Sequence, residues 1–177
     1  MNSMNNDYLF VYGTLRRDSQ SEMYHLLARY GEFVGGATYQ GKLYMVDYYP
    51  GVVPSDDPKN VVHGEAYKLT CSDIVPSRLD EYEECGSGFS KPTEYIRRHE
   101  KVKLNSGEVI TAWVYIFNRS TEGLQLIQSG DFYKIKLIPE PLTQLNREKL
   151  CAARATRRRS RLSVHVTPLA NLELKSE

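Results

Sequence analysis

Residues 8–16 read Tyr8-Leu9-Phe10-Val11-Tyr12-Gly13-Thr14-Leu15-Arg16. An aromatic and β-branched run halted by glycine is a strand followed by a sharp turn. Beyond the strand, the backbone N–H groups of Gly13, Thr14 and Leu15 have no obvious ladder partner in the sequence pattern. Successive unpaired donors of this kind form a nest for an anionic group. The plain alternative is a buried strand and a tight turn with no ligand. Arg16 is then either a steering charge for a carboxylate or, more simply, a solvated surface arginine.

Working outward, Ser19-Gln20-Ser21-Glu22 matches a capping box, which starts a helix at Ser19. Met23, Leu26, Leu27 and Tyr30 follow at helical spacing as its buried face, and Gly31, Gly35 and Gly36 stop it. Ala37–Met45 alternates as a strand. Asp47 to Pro58 carries three prolines and a Pro-Gly pair and reads as an ordered loop. Strand character returns from Val61 to Leu69. Ser72 caps a helix containing Leu79 and Tyr82, with Pro76 confined to the first turn. Tyr95–Leu104 and Val109–Phe117 form a hairpin around Asn105-Ser106-Gly107. Strands outnumber helices without βαβ alternation, so the expected class is α+β, with a curled, mixed and mainly antiparallel sheet.

The chain has 177 residues, enough for one domain with a full core plus an appendage. The expected boundary falls at residues 1–140 and 141–177. The second part is basic and helix-prone: between 147 and 161 seven arginines and lysines face Glu148 alone, while the whole chain carries only +1. The main body is therefore mildly acidic. Apolar stretches fall far short of the ~20 residues that span a bilayer, and the first residues show no secretion signal. Cys71, Cys85 and Cys151 are odd in number and widely spaced, which argues against a disulfide framework and for a reducing, cytoplasmic setting. His25, His63, His99 and His165 have no metal-ligand spacing, so no metal or cofactor is expected.

Asp80, Glu81, Glu83 and Glu84 crowd around Tyr82. A solvated helix face is the ordinary explanation. A helix ending near Glu84, however, would put these carboxylates at the negative end of the macrodipole and beside like charges. That setting suits a group that takes and returns a proton near neutral pH.

Three words, Val11-Tyr12-Gly13-Thr14-Leu15-Arg16, Leu79-Asp80-Glu81-Tyr82-Glu83 and Ser129-Gly130-Asp131-Phe132, occur in this order. Together they resemble the γ-glutamylcyclotransferase-like family, including its γ-glutamylamine cyclotransferase and YtfP-like members, over residues 8 to 140. The resemblance implies a small barrel-like sheet with helices packed around it. It also implies a reaction. The substrate's own α-amine attacks its γ-glutamyl carbonyl, closes a five-membered lactam, and releases 5-oxoproline and a free amine or amino acid. The nucleophile belongs to the substrate, so no cofactor is implied. By position in the LDEYE word, the general acid/base falls on Glu83, with Glu84 as fallback. Gly13, Thr14 and Leu15 would hold the substrate α-carboxylate, and Tyr12 and Tyr115 would line the pocket. The SGDF word would close one edge of the cavity, or else be a glycine turn with Asp131 as a local cap. The insert from Gly86 to Glu94 is longer than the family's usual bridge to the Tyr-x-Arg strand, here Tyr95-Ile96-Arg97.

Two other readings stand beside this one. The first is a binding module that holds a small γ-glutamyl metabolite without turnover. The second is nucleic-acid association through the arginines of the tail, although no aromatic residue interleaves them as a stacking platform. The expected partner is a small γ-glutamyl molecule and not a membrane. The amine half of the substrate and the oligomeric state are not specified by these motifs.

Overall fold

Strand β1 (Tyr8–Val11) lies at the centre of the fold because both of its faces are apolar. Leu9 and Val11 point to one side, and Phe10 with the following Tyr12 to the other. A computed structural model of the chain describes residues 7–19, 21–70, 74–83, 85, 88–89 and 91–135. The basic extension expected from residue 141, Ser72 and Glu84 lie outside the described residues.

After β1 come α1 (Glu22–Tyr30), β2 (Gly31–Met45), β3 (Pro50–Pro54), β4 (Val61–Leu69), α2 (Ile74–Tyr82), β5 (Tyr95–Leu104), β6 (Val109–Phe117) and the short β7 (Gln125–Leu126). β1 runs antiparallel to β4 and parallel to β6, β6 pairs with β5, and β2 pairs with β4. Ala37–Tyr39 of β2 then meets Val102–Leu104 of β5, which closes five strands into a barrel. The fold is α+β with a mixed, barrel-like sheet, as the sequence predicts. β2 runs on beyond the closure, and its C-terminal residues pair with β3 and β7.

Alternation along the strands divides the core in two. Phe10, Tyr39, Val62, Val102, Val114 and Ile116 fill the barrel. Leu9, Leu27, Tyr67, Leu79, Tyr95 and Tyr115 pack in a second cluster that includes residues of both helices. Leu79 and Val75 of α2 are fully buried there. No described helix is long and apolar enough to cross a membrane.

Three expectations are corrected. The cap of α1 is Ser21, whose Oγ accepts from Tyr24 N–H at 3.1 Å, because Arg17–Ser19 is spent in a 3-10 turn. The strand expected over Ala37–Met45 starts earlier: α1 ends at Tyr30 with Gly31 as its C-cap, and β2 begins at Gly31 itself, with a register shift between Phe33 and Gly35. The loop from Asp47 contains β3, whose Pro50 and Pro54 stand at its two ends, where a missing N–H costs an edge strand little. Pro76 does lie in the first turn of α2.

Candidate active site

The turn after β1 is closed by Arg16 N–H donating to the Gly13 carbonyl at 3.0 Å, and the Ser21 hydroxyl donates to the Thr14 carbonyl at 2.7 Å. Gly13 is needed for space. A Cβ there would lie 2.7 Å from Pro50 Cγ, the first residue of β3. Among the described residues, no hydrogen-bond acceptor meets the N–H groups of Gly13, Thr14 or Leu15. Three successive donors are thus left beside the strand end, as an anion nest requires.

Arg16 is not the solvated residue expected of it. Its side chain is 14% exposed and lies 2.8 Å from Asp131, 3.7 Å from Glu65 and 3.9 Å from Asp18. Its guanidinium also lies 4.9 Å from the centroid of the Tyr133 ring. Asp131 in turn caps the 3-10 turn Phe132–Lys134 by accepting from Tyr133 N–H at 3.1 Å, and Gly130 takes a positive φ of 62° just before it. Burial works against the Asp131 anion, but the Tyr133 N–H and the Arg16 guanidinium outweigh it and hold the carboxyl below its ordinary range. The SGDF word is therefore a capped glycine turn that is locked to the first turn by Arg16. Glu65 was missed in the sequence, though a lone acid in the strand VVHGEAYKL is a usable signal. It also accepts from Arg17 N–H at 3.1 Å and from the Tyr67 hydroxyl at 2.9 Å.

At the end of α2 the carboxylates separate by environment. Glu81 is exposed and faces Arg78 at 3.8 Å, a solvated helix face. Asp80 is partly buried. One of its oxygens accepts from the Tyr115 hydroxyl at 2.7 Å, and the other lies 3.3 Å from Arg97 Nη2. Glu83, one turn on, is buried, with 7% of its surface exposed. Its N–H donates to the Leu79 carbonyl at 2.7 Å, and Cys85 N–H donates to the Asp80 carbonyl at 2.8 Å, which fixes the backbone as the helix ends.

The surroundings of Glu83 show in the groups it influences. Burial raises the Tyr115 phenol above its ordinary range, with Asp80 and then Glu83 adding to the effect. Burial likewise pushes the Cys85 thiol up, again with contributions from Asp80 and Glu83. Tyr12 packs against Phe10 in the barrel core and donates its hydroxyl to the Tyr115 carbonyl at 2.5 Å. A bonded path therefore runs from Tyr12 through Tyr115 to Asp80 and Arg97. The last two were not singled out as site residues, although Tyr95-Ile96-Arg97 marked the strand. Among the described residues, no group of three His, Cys, Asp or Glu is placed to hold a metal.

Residues 9–134 match the family described as γ-glutamyl cyclotransferase, AIG2-like. The chain belongs to this family. The γ-glutamylcyclotransferase family protein YtfP of Escherichia coli (strain K12) is 33% identical over 125 residues, which cover 70% of this chain and 94% of YtfP. The crystal structure of YkqA from Bacillus subtilis superposes with a TM-score of 0.54 at 28% identity. That match covers 71% of this chain but 39% of YkqA, so the chain spans well under half of that protein. An AIG2-like protein from mouse superposes with a TM-score of 0.56 over 77% of this chain and 98% of its own. At 20% identity it is a likeness of fold alone.

Proposed function

We propose that the protein is a γ-glutamyl amide cyclotransferase, with Glu83 as its general acid/base and residues 1–140 as the active domain. The observation that carries this reading is a carboxylate buried at a helix end, beside the buried Tyr115, whose hydroxyl donates to Asp80 and whose backbone carbonyl accepts from Tyr12, the residue preceding a donor-rich turn. The N–H groups of Gly13, Thr14 and Leu15 receive the substrate α-carboxylate, which folds the glutamyl arm toward its own carbonyl. Tyr12 and Tyr115 form walls of the pocket. Holding amine and carbonyl in this way turns ring closure into a pre-oriented intramolecular step, worth several kcal/mol.

The proton bookkeeping needs one group. Glu83 takes a proton from the α-amine as its nitrogen attacks the γ-carbonyl, and the amide C–N bond breaks as the tetrahedral centre collapses. The same carboxyl then returns the proton to the departing amine. Burial of Glu83 next to Tyr115 supports this reading, and a Glu83 side chain turned away from the pocket would favour the binding module instead. The test is 5-oxoproline release from a panel of γ-glutamyl amides. Wild type should turn over at least one of them, and Glu83→Gln should lower kcat by about a hundredfold or more. Undiminished release by Glu83→Gln would remove the role from Glu83. Binding without 5-oxoproline from any amide would leave the metabolite-binding reading in its place.

A further inference from the structure

We propose that Tyr115 is a strut between the two halves of the site, and that Asp80, held by Arg97, is the positioning residue that seats it. The inference rests on the cyclotransferase reading for its kinetic consequence, but its geometry is independent of the substrate. Tyr115 is bonded through one end to α2 and through the other to Tyr12. Its hydroxyl reaches Asp80 at 2.7 Å, and its carbonyl receives the Tyr12 hydroxyl at 2.5 Å. Tyr12 directly precedes the donor turn, and Asp80 lies in the last turn of α2, three residues before Glu83. Fixing Asp80 therefore fixes how the Glu83 end of α2 is turned toward β6.

The second oxygen of Asp80 is engaged by Arg97 at 3.3 Å. Arg97 is itself seated with its guanidinium 4.5 Å from the Trp113 ring centroid, and Trp113 stacks on His99 at 3.4 Å. The seat thus belongs to β5 and β6, outside the barrel. The side chains of Asp80 and Arg97 keep 28% and 23% of their surfaces exposed. A pair at this depth is neither a solvated surface pair nor a fully buried one. What it provides is a fixed orientation for two groups that must converge on one substrate. Errors of about 1 Å in such an arrangement cost on the order of a hundredfold in rate.

Three variants of the full chain test this: Tyr115→Phe, Asp80→Ala and Asp80→Asn. The expected result for the first two is a kcat lower by roughly tenfold to a hundredfold, with KM changed by less than about threefold. Asp80→Asn keeps an acceptor for the Tyr115 hydroxyl and should recover most of the loss. Combined with Glu83→Gln, each change should cost less than it does alone, because part of its effect runs through that residue. Unchanged kcat in Tyr115→Phe and Asp80→Ala, or a loss confined to KM, overturns the proposal. A second readout needs no substrate. Amide hydrogen exchange in Asp80→Ala should quicken at 79–83 and at 12–16 together, with the β5–β6 hairpin unaffected. Exchange that changes at one of these segments alone, or at neither, overturns the strut. A wild type that releases no 5-oxoproline sinks the cyclotransferase reading, and the exchange experiment then decides the strut by itself.

Discussion

The end of α2 and the turn at 129–132 each bury a carboxylate to the same degree, and set it among different groups. Asp131 and Glu83 are 6% and 7% exposed. Asp131 faces the Arg16 guanidinium, the Lys134 ammonium and a backbone N–H, all of which favour its anion. Glu83 lies near a phenol and a thiol that its charge helps keep protonated, with the Asp80 carboxylate one turn away. The comparison teaches that burial alone does not mark a working carboxylate. What the carboxylate is set among has to be read with it. One carboxylate is tied into the fold by Arg16, Lys134 and a backbone N–H, and the other lies at a helix end among the Tyr115 phenol, the Cys85 thiol and the Asp80–Arg97 pair.

The sharpest way to break the comparison is to exchange the expected losses. Glu83→Gln should lose activity by the hundredfold predicted above while unfolding close to wild type, as read by thermal melts. Arg16→Met should do the reverse in stability, because it leaves Asp131 and Glu65 buried without the Arg16 guanidinium. A loss of about 3 kcal/mol is expected, measured by urea unfolding. A smaller cost should follow Gly13→Ala, whose Cβ would collide with the Pro50 ring. About 1–3 kcal/mol is expected, and β3 should be loosened where it abuts the turn.

The pH dependence sharpens the contrast further. The Asp131 carboxyl titrates below its ordinary value in the folded protein, so the stability it contributes is fully present above the unfolded value of ~3.9. It is lost as the pH falls through the depressed folded value. Asp131→Asn should flatten that part of the acid limb in melts taken between about pH 5 and pH 2. The smallest effect is expected for Arg78→Ala. It removes a pair in which both side chains are 67% exposed, and it should stay within about 0.5 kcal/mol.

Much of this architecture is legible in the residues themselves. The β5–β6 hairpin follows from two alternating runs around Asn105-Ser106-Gly107, and the buried position of Leu79 follows from its helical spacing. Glu83 stands out because the LDEYE word lies at a helix end. What was hidden is long-range. Arg16 meets Asp131 across 115 residues of sequence, and a lone arginine after a turn carries no local sign of such a partner. Likewise, the link between Asp80 and Tyr115 spans 35 residues and depends on the packing of α2 against β6. The other misses are local ties that tertiary structure breaks. Two serines compete to cap α1, and the 3-10 turn decides for the second. Glycines that usually stop a helix also begin β2, because β4 is there to pair with them. Prolines that disguise β3 are harmless at the ends of an edge strand.

The seam that closes the barrel has a kinetic consequence. It joins Ala37–Tyr39 to Val102–Leu104, and Thr38 and Lys103 are 65 residues apart, whereas β5 and β6 are joined by a short turn. Closing so long a loop costs more chain entropy than zipping a hairpin, and it is repaid by only three residue pairs. The hairpin can therefore form early and alone, while the ring of strands is completed late. In the reverse direction the seam is the natural place for the barrel to open first. Strand β2, which takes part in the pairing with β3, β4, β5 and β7, is then the element whose release would unravel the rest.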